Sequence, residues 1–344
     1  MILDLFICGP GYGETIICRW EEEGRLHAGV IDCYGPNYGL TVYDWLLELE
    51  ISQLEFLCVT HPHLDHIYNA YWVLELLEGS VSQLWWWGGL TPDAYIVFCD
   101  KLAAACGGGE GRLRSRAESV RRLFIEIARQ EQKFGIPLVR TSARIKQLYP
   151  IPQTTNPVLK ITAFSPWDDS LMRFTKEVVS SIRVGGKATS DESLANLACI
   201  GLLLQYGNAQ VVLGSDIEAS NWNSLPDAFT SSLRPCVVKV SHHGSQNGTC
   251  AGMWSMSGFL CNQQPQSPIA VITPWHNVLP DEKVIKQIVG SGSTVFVTGQ
   301  KNTNGRGRPW LSYVHVQVDG DQGTARVVEK SANVVVYEPV PPLS

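Results

Sequence analysis

The sequence has no paired-cysteine motif. Its ten cysteines (Cys8, Cys18, Cys33, Cys58, Cys99, Cys106, Cys199, Cys236, Cys250 and Cys261) are scattered, and none forms a CxxC pair. A cysteine-built zinc site needs closely paired thiols, so that class is excluded. Most of the cysteines sit in apolar runs such as ETIICRW and LEFLCVT, the setting of buried free thiols in a reducing compartment. Charge is also sparse. Charged residues make up 17%, too few for a disordered chain. With 27 Lys and Arg against 33 Asp and Glu the net charge is −6, which gives no general attraction for nucleic acid or anionic lipid. No apolar run reaches the roughly 20 residues of a membrane helix. The opening MILDLFICGPGYGE has no basic n-region or small-residue cleavage site. The expectation is a cytoplasmic protein with no membrane partner.

No repeat is visible and no linker separates two independent domains. At roughly 100–200 residues per domain, 344 residues make one large domain or two modest ones. The expected organisation is a single domain over 1–344, with a basic helical insertion at 101–152 and a C-terminal hairpin and tail at 311–344. The 44% hydrophobic content is ample for a core. Strands are expected at 2–8, 13–20, 26–33, 54–60 and 82–87. In the second half they are expected at 158–164, 198–206, 209–213, 236–240, 268–273 and 294–298. Helical spacing at 40–50, 67–77 and 281–289 alternates with them, an α/β pattern. The stretch 110–150 carries about ten basic and about four acidic residues. Within it Ser115–Phe134 reads as an amphipathic helix, with Ser115 and Glu118 as a capping box. That helix is either a solvated face or an anion-binding element.

Four motifs carry chemistry. The first is Thr60-His61-Pro62-His63-Leu64-Asp65-His66, between a strand and a helix. In extended chain, residues two apart face the same way, so His61 and His63 can address one ion. Asp65 and His66 turn into the helix and can reach a second. Imidazole with carboxylate suits zinc, manganese or iron. The second is VVLGSDIE, where Asp216 ends a strand and either bridges two cations or caps a helix. The third is VVKVSHHGS, a strand running into His242 and His243. The fourth is Asp32 in GVIDCYG, which either orients ligand loops through hydrogen bonds or caps a turn.

In this order the motifs resemble those of the metallo-β-lactamase-fold hydrolases. The stretches NLACIGLLLQYGNAQVVLGSDIE, VVKVSHHGS and ITPWHNVLPDEKV resemble more narrowly the hydrolase domain of ComEC-type DNA-uptake proteins. The resemblance runs from about residue 2 to about 300 and is interrupted at 101–152. It implies an αββα sandwich with a metal site along one edge. It further implies His61 and His63 on a first metal, Asp65 and His66 on a second, Asp216 bridging, and one of the HHGS pair completing the second site, His243 rather than His242. The broad family places a further histidine before the Asp216 strand. Here the region reads TSDESLAN, and Asn196 matches the asparagine common in ComEC-like sequences.

The cofactor expected is one or two divalent ions, zinc or manganese. The function expected is a metal-dependent hydrolase, a phosphodiesterase or nuclease acting on nucleic acid or a nucleotide. Asp65 would position the attacking water and His276 would protonate the leaving group. Arg112, Arg114, Arg116, Arg121 and Arg122 would steer phosphate. Lys239 is either a substrate contact or a snorkelling core-edge lysine. Trp85, Trp86 and Trp87 offer a stacking surface, with at least one facing the core. The alternatives are hydrolysis of a lactone, thioester or amide, and a catalytically weak binding subunit with a protein partner.

Overall fold

A computed structural model describes residues 1–34, 42–105, 110–141, 145–150, 157–184, 192–250, 252–255, 258–261, 267–276, 278–299 and 312–339. The described strands are β1 Ile2–Cys8, β2 Thr15–Glu22, β3 Arg25–Ile31, β4 Phe56–Val59, β5 Leu84–Trp86, β6 Leu138–Arg140, β7 Lys146–Tyr149 and β8 Leu159–Ala163. They continue with β9 Leu202–Tyr206, β10 Ala209–Leu213, β11 Pro235–Lys239, β12 Ile269–Ile272, β13 Val295–Val297, β14 Tyr313–Asp319, β15 Thr324–Lys330 and β16 Val335–Tyr337. The helices are α1 Val42–Glu48, α2 Leu64–Ile67, α3 Ala70–Leu76, α4 Pro92–Ala105, α5 Glu110–Phe134, α6 Asp168–Val184, α7 Ala219–Asn223, α8 Asp227–Thr230 and α9 Glu282–Gly290. The class is mixed α/β, with large sheets and helices. Among the described residues no helix is long and apolar enough to cross a membrane.

The chain divides into two compact units. One comprises Met1–His27, Ile145–Ser165 and Ile200–Ser344; the other comprises Ala28–Arg144 and Pro166–Cys199. The first unit holds an eight-stranded sheet in the order β16-β13-β12-β11-β10-β9-β8-β7 and an antiparallel ladder β15-β14-β1-β2. Its centre is parallel: β10, β11, β12 and β13 all run the same way. Such strands are covered on both faces and read as unbroken apolar runs, as VVL, CVVK and IAVI do. The register sets Leu213 beside Lys239 and Lys239 beside Val271. The chain therefore leaves these three strands at one level, and their following loops emerge side by side. Within the same unit the two ladders touch, as where Tyr206 donates its hydroxyl to the Ile2 carbonyl at 3.0 Å.

The second unit holds the parallel ladder β3-β4-β5-β6 with helices α1 to α6. Its register sets Ile31 beside Cys58 and Val59 beside Trp86. Phe56 stacks on Trp85 with centroids 4.0 Å apart. A Cβ at Gly29 would lie 2.1 Å from the Phe56 ring, so only glycine fits there. Trp85, Trp86 and Trp87 are all buried. Trp86 meets Phe124 of α5 edge-on and Trp87 meets Tyr95 of α4. The expected stacking surface is thus corrected: the ends of β5 and α4–α5 cover all three rings, and none faces solvent.

Helix α5 also differs from expectation. It begins at Glu110, so Ser115 lies inside it and does not cap it. Arginine is a good helix former, and the run RLRSR extends the helix through its first turns. The side chains of Arg112 and Arg114 lie outside the described residues. Arg116 is buried. Arg121 holds Glu118 at 2.9 Å and Asp100 at 3.3 Å, and Arg122 holds Glu118 at 2.8 Å and the Tyr71 hydroxyl at 3.3 Å. Arg129 and Lys133 share Glu78. The described basic face is laced by carboxylates of α5 itself and of neighbouring elements.

Candidate metal centre

In the second unit, two strands deliver the site. Asp32 follows β3 and Thr60 follows β4, and the Asp32 amide donates to the Cys58 carbonyl at 2.8 Å. Asp32 is wholly buried with φ 56°, a left-handed conformation that aspartate tolerates better than most residues. Its Oδ1 accepts from the Thr60 amide at 2.8 Å, and its Oδ2 accepts from the Thr60 hydroxyl at 2.7 Å. The same Oδ2 lies 2.7 Å from His66 Nδ1.

These bonds assign the imidazole tautomers. A carboxylate only accepts, so His66 carries its proton on Nδ1 and presents a lone pair at Nε2. That Nε2 lies 3.9 Å from Asp65 Oδ2. The Thr60 hydroxyl gives its proton to Asp32, so at 3.1 Å it accepts from His61 Nδ1. His61 therefore also presents a lone pair at Nε2, which lies 3.0 Å from His63 Nδ1. Two nitrogens on one tetrahedral zinc stand roughly 3.3 Å apart. His61 and His66 are wholly buried and Asp65 nearly so, while His63 is half-buried. The Cys199 thiol stands 3.6 Å from His61 Nδ1, and Asn196, three residues earlier, is buried.

In the first unit, Asp216 follows β10, His242 and His243 follow β11, and Thr273 follows β12. The Gly214 amide donates to the Lys239 carbonyl and the His242 amide to the Ser215 carbonyl, joining the first two loops. A Cβ at Gly214 would lie 2.2 Å from the Ser241 hydroxyl, so the close approach of these loops depends on glycine. Asp216 is buried, and the N-cap of α7 is Glu218, so capping is not its role. His243 Nδ1 donates to the Thr273 carbonyl at 2.8 Å. Its Nε2 lies 3.4 Å from Asp216 Oδ2. The donor set fits a divalent ion. His242 is half-buried and turned towards Glu218, with Nδ1 3.9 Å from Oε1.

His276 is exposed, stacked on Tyr12 at 4.5 Å and edge-on to Trp275 at 4.7 Å. Lys239 corrects both of its expected roles. It is wholly buried, ion-paired with the buried Glu14, and its ammonium donates to the Ser215 carbonyl at 3.3 Å. A lysine at the end of a strand covered on both faces has no path to water, so it neither snorkels nor meets substrate.

Several contributors are given no role by the motifs: Thr60, Cys199, Thr273 and Glu14. Only Glu14 and Lys239 left a signal, as opposite charges, one just before the apolar stretch TIIC and one at the end of CVV. Backbone strain marks the same loops. Asp32, Ser215, His242, His243 and His276 all have φ between 42° and 56° without being glycine. Each such residue costs about 1–3 kcal/mol, and such residues concentrate at functional sites. The thiols behave as expected. Burial pushes Cys8 and Cys18 far up, burial with the Asp32 charge raises Cys33, and burial takes Cys236 to about 11. Eight described cysteines are free.

No protein-family model matches the sequence. No curated protein matches it either. Among solved structures, the chain is similar to CmlA, a diiron β-hydroxylase from Streptomyces venezuelae. The TM-score is 0.39 at 13% identity, over 98% of this chain and 54% of that one. A second CmlA β-hydroxylase structure gives 0.38 at 13%, over 86% and 45%. The chain thus spans about half the length of the CmlA structures. It is also similar to Zn(2+)-bound PqqB from Methylobacterium extorquens, at TM-score 0.37 and 12% identity, over 84% of this chain and 97% of that one.

Proposed function

We propose that this chain is a metal-dependent hydrolase of the metallo-β-lactamase type, acting on a phosphodiester in nucleic acid or a nucleotide. His61, His63, Asp65, His66, Asp216 and His243 are its metal ligands, and zinc or manganese is the metal. One observation carries the reading. His243 donates from Nδ1 to the Thr273 carbonyl and sets its Nε2 3.4 Å from the Asp216 carboxylate, both buried where a metal could take them as ligands. Asp32 sets His61 and His66 in the same way, each with a lone pair at Nε2.

When bound, a divalent ion supplies Lewis acidity and lowers the pKa of water towards about 7. The chain does the rest. Asp32 holds the His66 ring and, through Thr60, the His61 ring. The Thr273 carbonyl holds the His243 ring. Asp65, nearly buried, positions the attacking water and takes its proton. His276, exposed on its loop, gives a proton to the leaving oxygen. Asn196 stands where the broad family has a histidine, so the His61–His63 position is the weaker of the two.

Hydrolysis of bis(p-nitrophenyl) phosphate tests this, with manganese and zinc supplied separately and Asp216→Ala as control. Turnover that vanishes in the variant is expected. Bound metal without turnover above the variant overturns the phosphodiesterase. The second reading, hydrolysis of a neutral ester, thioester or amide, then takes its place. It is favoured by the pairing of Arg121 and Arg122 with Glu118 and Asp100, which leaves less free positive charge for a polyanion among the described side chains of α5.

A further inference from the structure

Glu14 and Lys239 form an ion pair with essentially no exposed surface. Burying two charges costs several kcal/mol per ion, and an apolar pair of similar volume often serves stability as well or better. Their remaining bonds indicate what the pair does. Lys239 Nζ donates to the carbonyl of Ser215, the residue before Asp216, which is held at φ 42°. Glu14 Oε2 accepts from the Thr273 hydroxyl at 2.7 Å, and the Thr273 carbonyl accepts from His243 Nδ1 at 2.8 Å. One branch therefore ends at the backbone beside Asp216 and the other at the ring of His243. Every member of this relay is buried.

We propose that Glu14 and Lys239 are positioning residues that hold Asp216 and His243 in ligand geometry before any metal arrives. This inference rests on the metal-hydrolase reading. Without the pair, the strained Ser215 turn and the His243 ring would each have to be ordered by the metal itself, at the expense of its affinity. Outer partners of this kind typically affect metal affinity 10–100-fold.

The test is zinc affinity by competition with a chromophoric chelator, together with the visible spectrum of the cobalt form and the melting temperature of the metal-free chain. The double variant Glu14→Gln/Lys239→Met removes both charges together. It keeps an acceptor for the Thr273 hydroxyl and deletes the bond to Ser215. It is expected to fold, to bind zinc at least roughly tenfold more weakly, and to show an altered cobalt spectrum. The paired control is Asp4→Asn/Arg19→Met, which removes another ion pair of the same unit with no bond to either ligand loop. It is expected to leave zinc affinity unchanged. Thr273→Val should weaken zinc binding and Thr273→Ser, which keeps the hydroxyl, should restore it. The Thr273 pair decides the matter if the double variant does not fold.

Wild-type zinc affinity in the folded double variant, an equal loss in the control, or equal affinity in Thr273→Val and Thr273→Ser overturns the inference. Failure of the wild-type chain to bind zinc or manganese overturns instead the reading on which it rests.

Discussion

Asp32 Oδ2 and His66 Nδ1 lie 2.7 Å apart, and neither side chain has any exposed surface. A buried carboxylate against one imidazole nitrogen fixes the ring's orientation, its tautomer and the basicity of the other nitrogen. Here the same carboxylate also takes the Thr60 hydroxyl, and so governs His61. Asp32→Asn keeps the shape and the left-handed backbone but puts an amide donor among donors. Zinc affinity is expected to fall roughly 10–100-fold, while the fold survives. A competition titration with wild-type affinity would show that the contact serves packing alone.

The two adjacent histidines differ in environment, and they should differ in consequence. His243 is buried with its Nε2 at Asp216, whereas His242 is half-buried and turned to Glu218. His243→Ala is expected to lower the bound metal per chain and abolish turnover. His242→Ala should keep the wild-type metal content, measured by elemental analysis, with activity changed only a few-fold. Equal metal loss in both would refute the assignment.

Trp85 lies in the core, stacked on Phe56. Trp85→Ala should destabilise the chain by about 3–5 kcal/mol, read as a lower urea midpoint at constant slope. Had the ring been a substrate platform, the same change would weaken substrate binding and leave the midpoint in place.

Asp4 makes an acid-labile contribution away from the loops that carry Asp216 and His243. Burial alone would raise its carboxyl, but hydrogen bonds from His315, Arg19 and Gln317 outweigh it and hold the pKa at about 2, against an ordinary 3.8. A depressed folded-state value means that the stabilisation is full above about pH 4 and lost as the pH falls towards 2. Allowing for its partial exposure, it amounts to roughly 1–2 kcal/mol. Asp4→Asn should be less stable at pH 7 and flatter in its stability between pH 4 and 2, followed by thermal melts. A parallel loss of stability in both proteins across that range would remove Asp4 from the account.

Much of this was legible in the residues in order. Apolar runs ending in Asp32, His61, Asp216 and His242 marked strands and the loops after them, because parallel strands covered on both faces leave only their ends free for polar groups. The HxHxDH spacing anticipated that His61 lies beside His63, since short-range geometry suffices to place them. Cysteine burial followed from the same apolar runs.

What needed the tertiary structure was every pairing across long sequence separation. The sequence offered Glu14 just before one strand and Lys239 at the end of another, but nothing in either run says that they meet. It offered five arginines within α5 as phosphate contacts, yet only the packed helices show Arg116 buried and Arg121 and Arg122 engaged by Glu118, Asp100 and Tyr71. It offered two adjacent histidines, and only the left-handed turn through both of them sends one ring to Asp216 and the other to Glu218. Motif and hydrophobic period are local quantities. Burial of a charge, the tautomer of an imidazole and the choice between neighbouring ligands depend on what the fold brings against them.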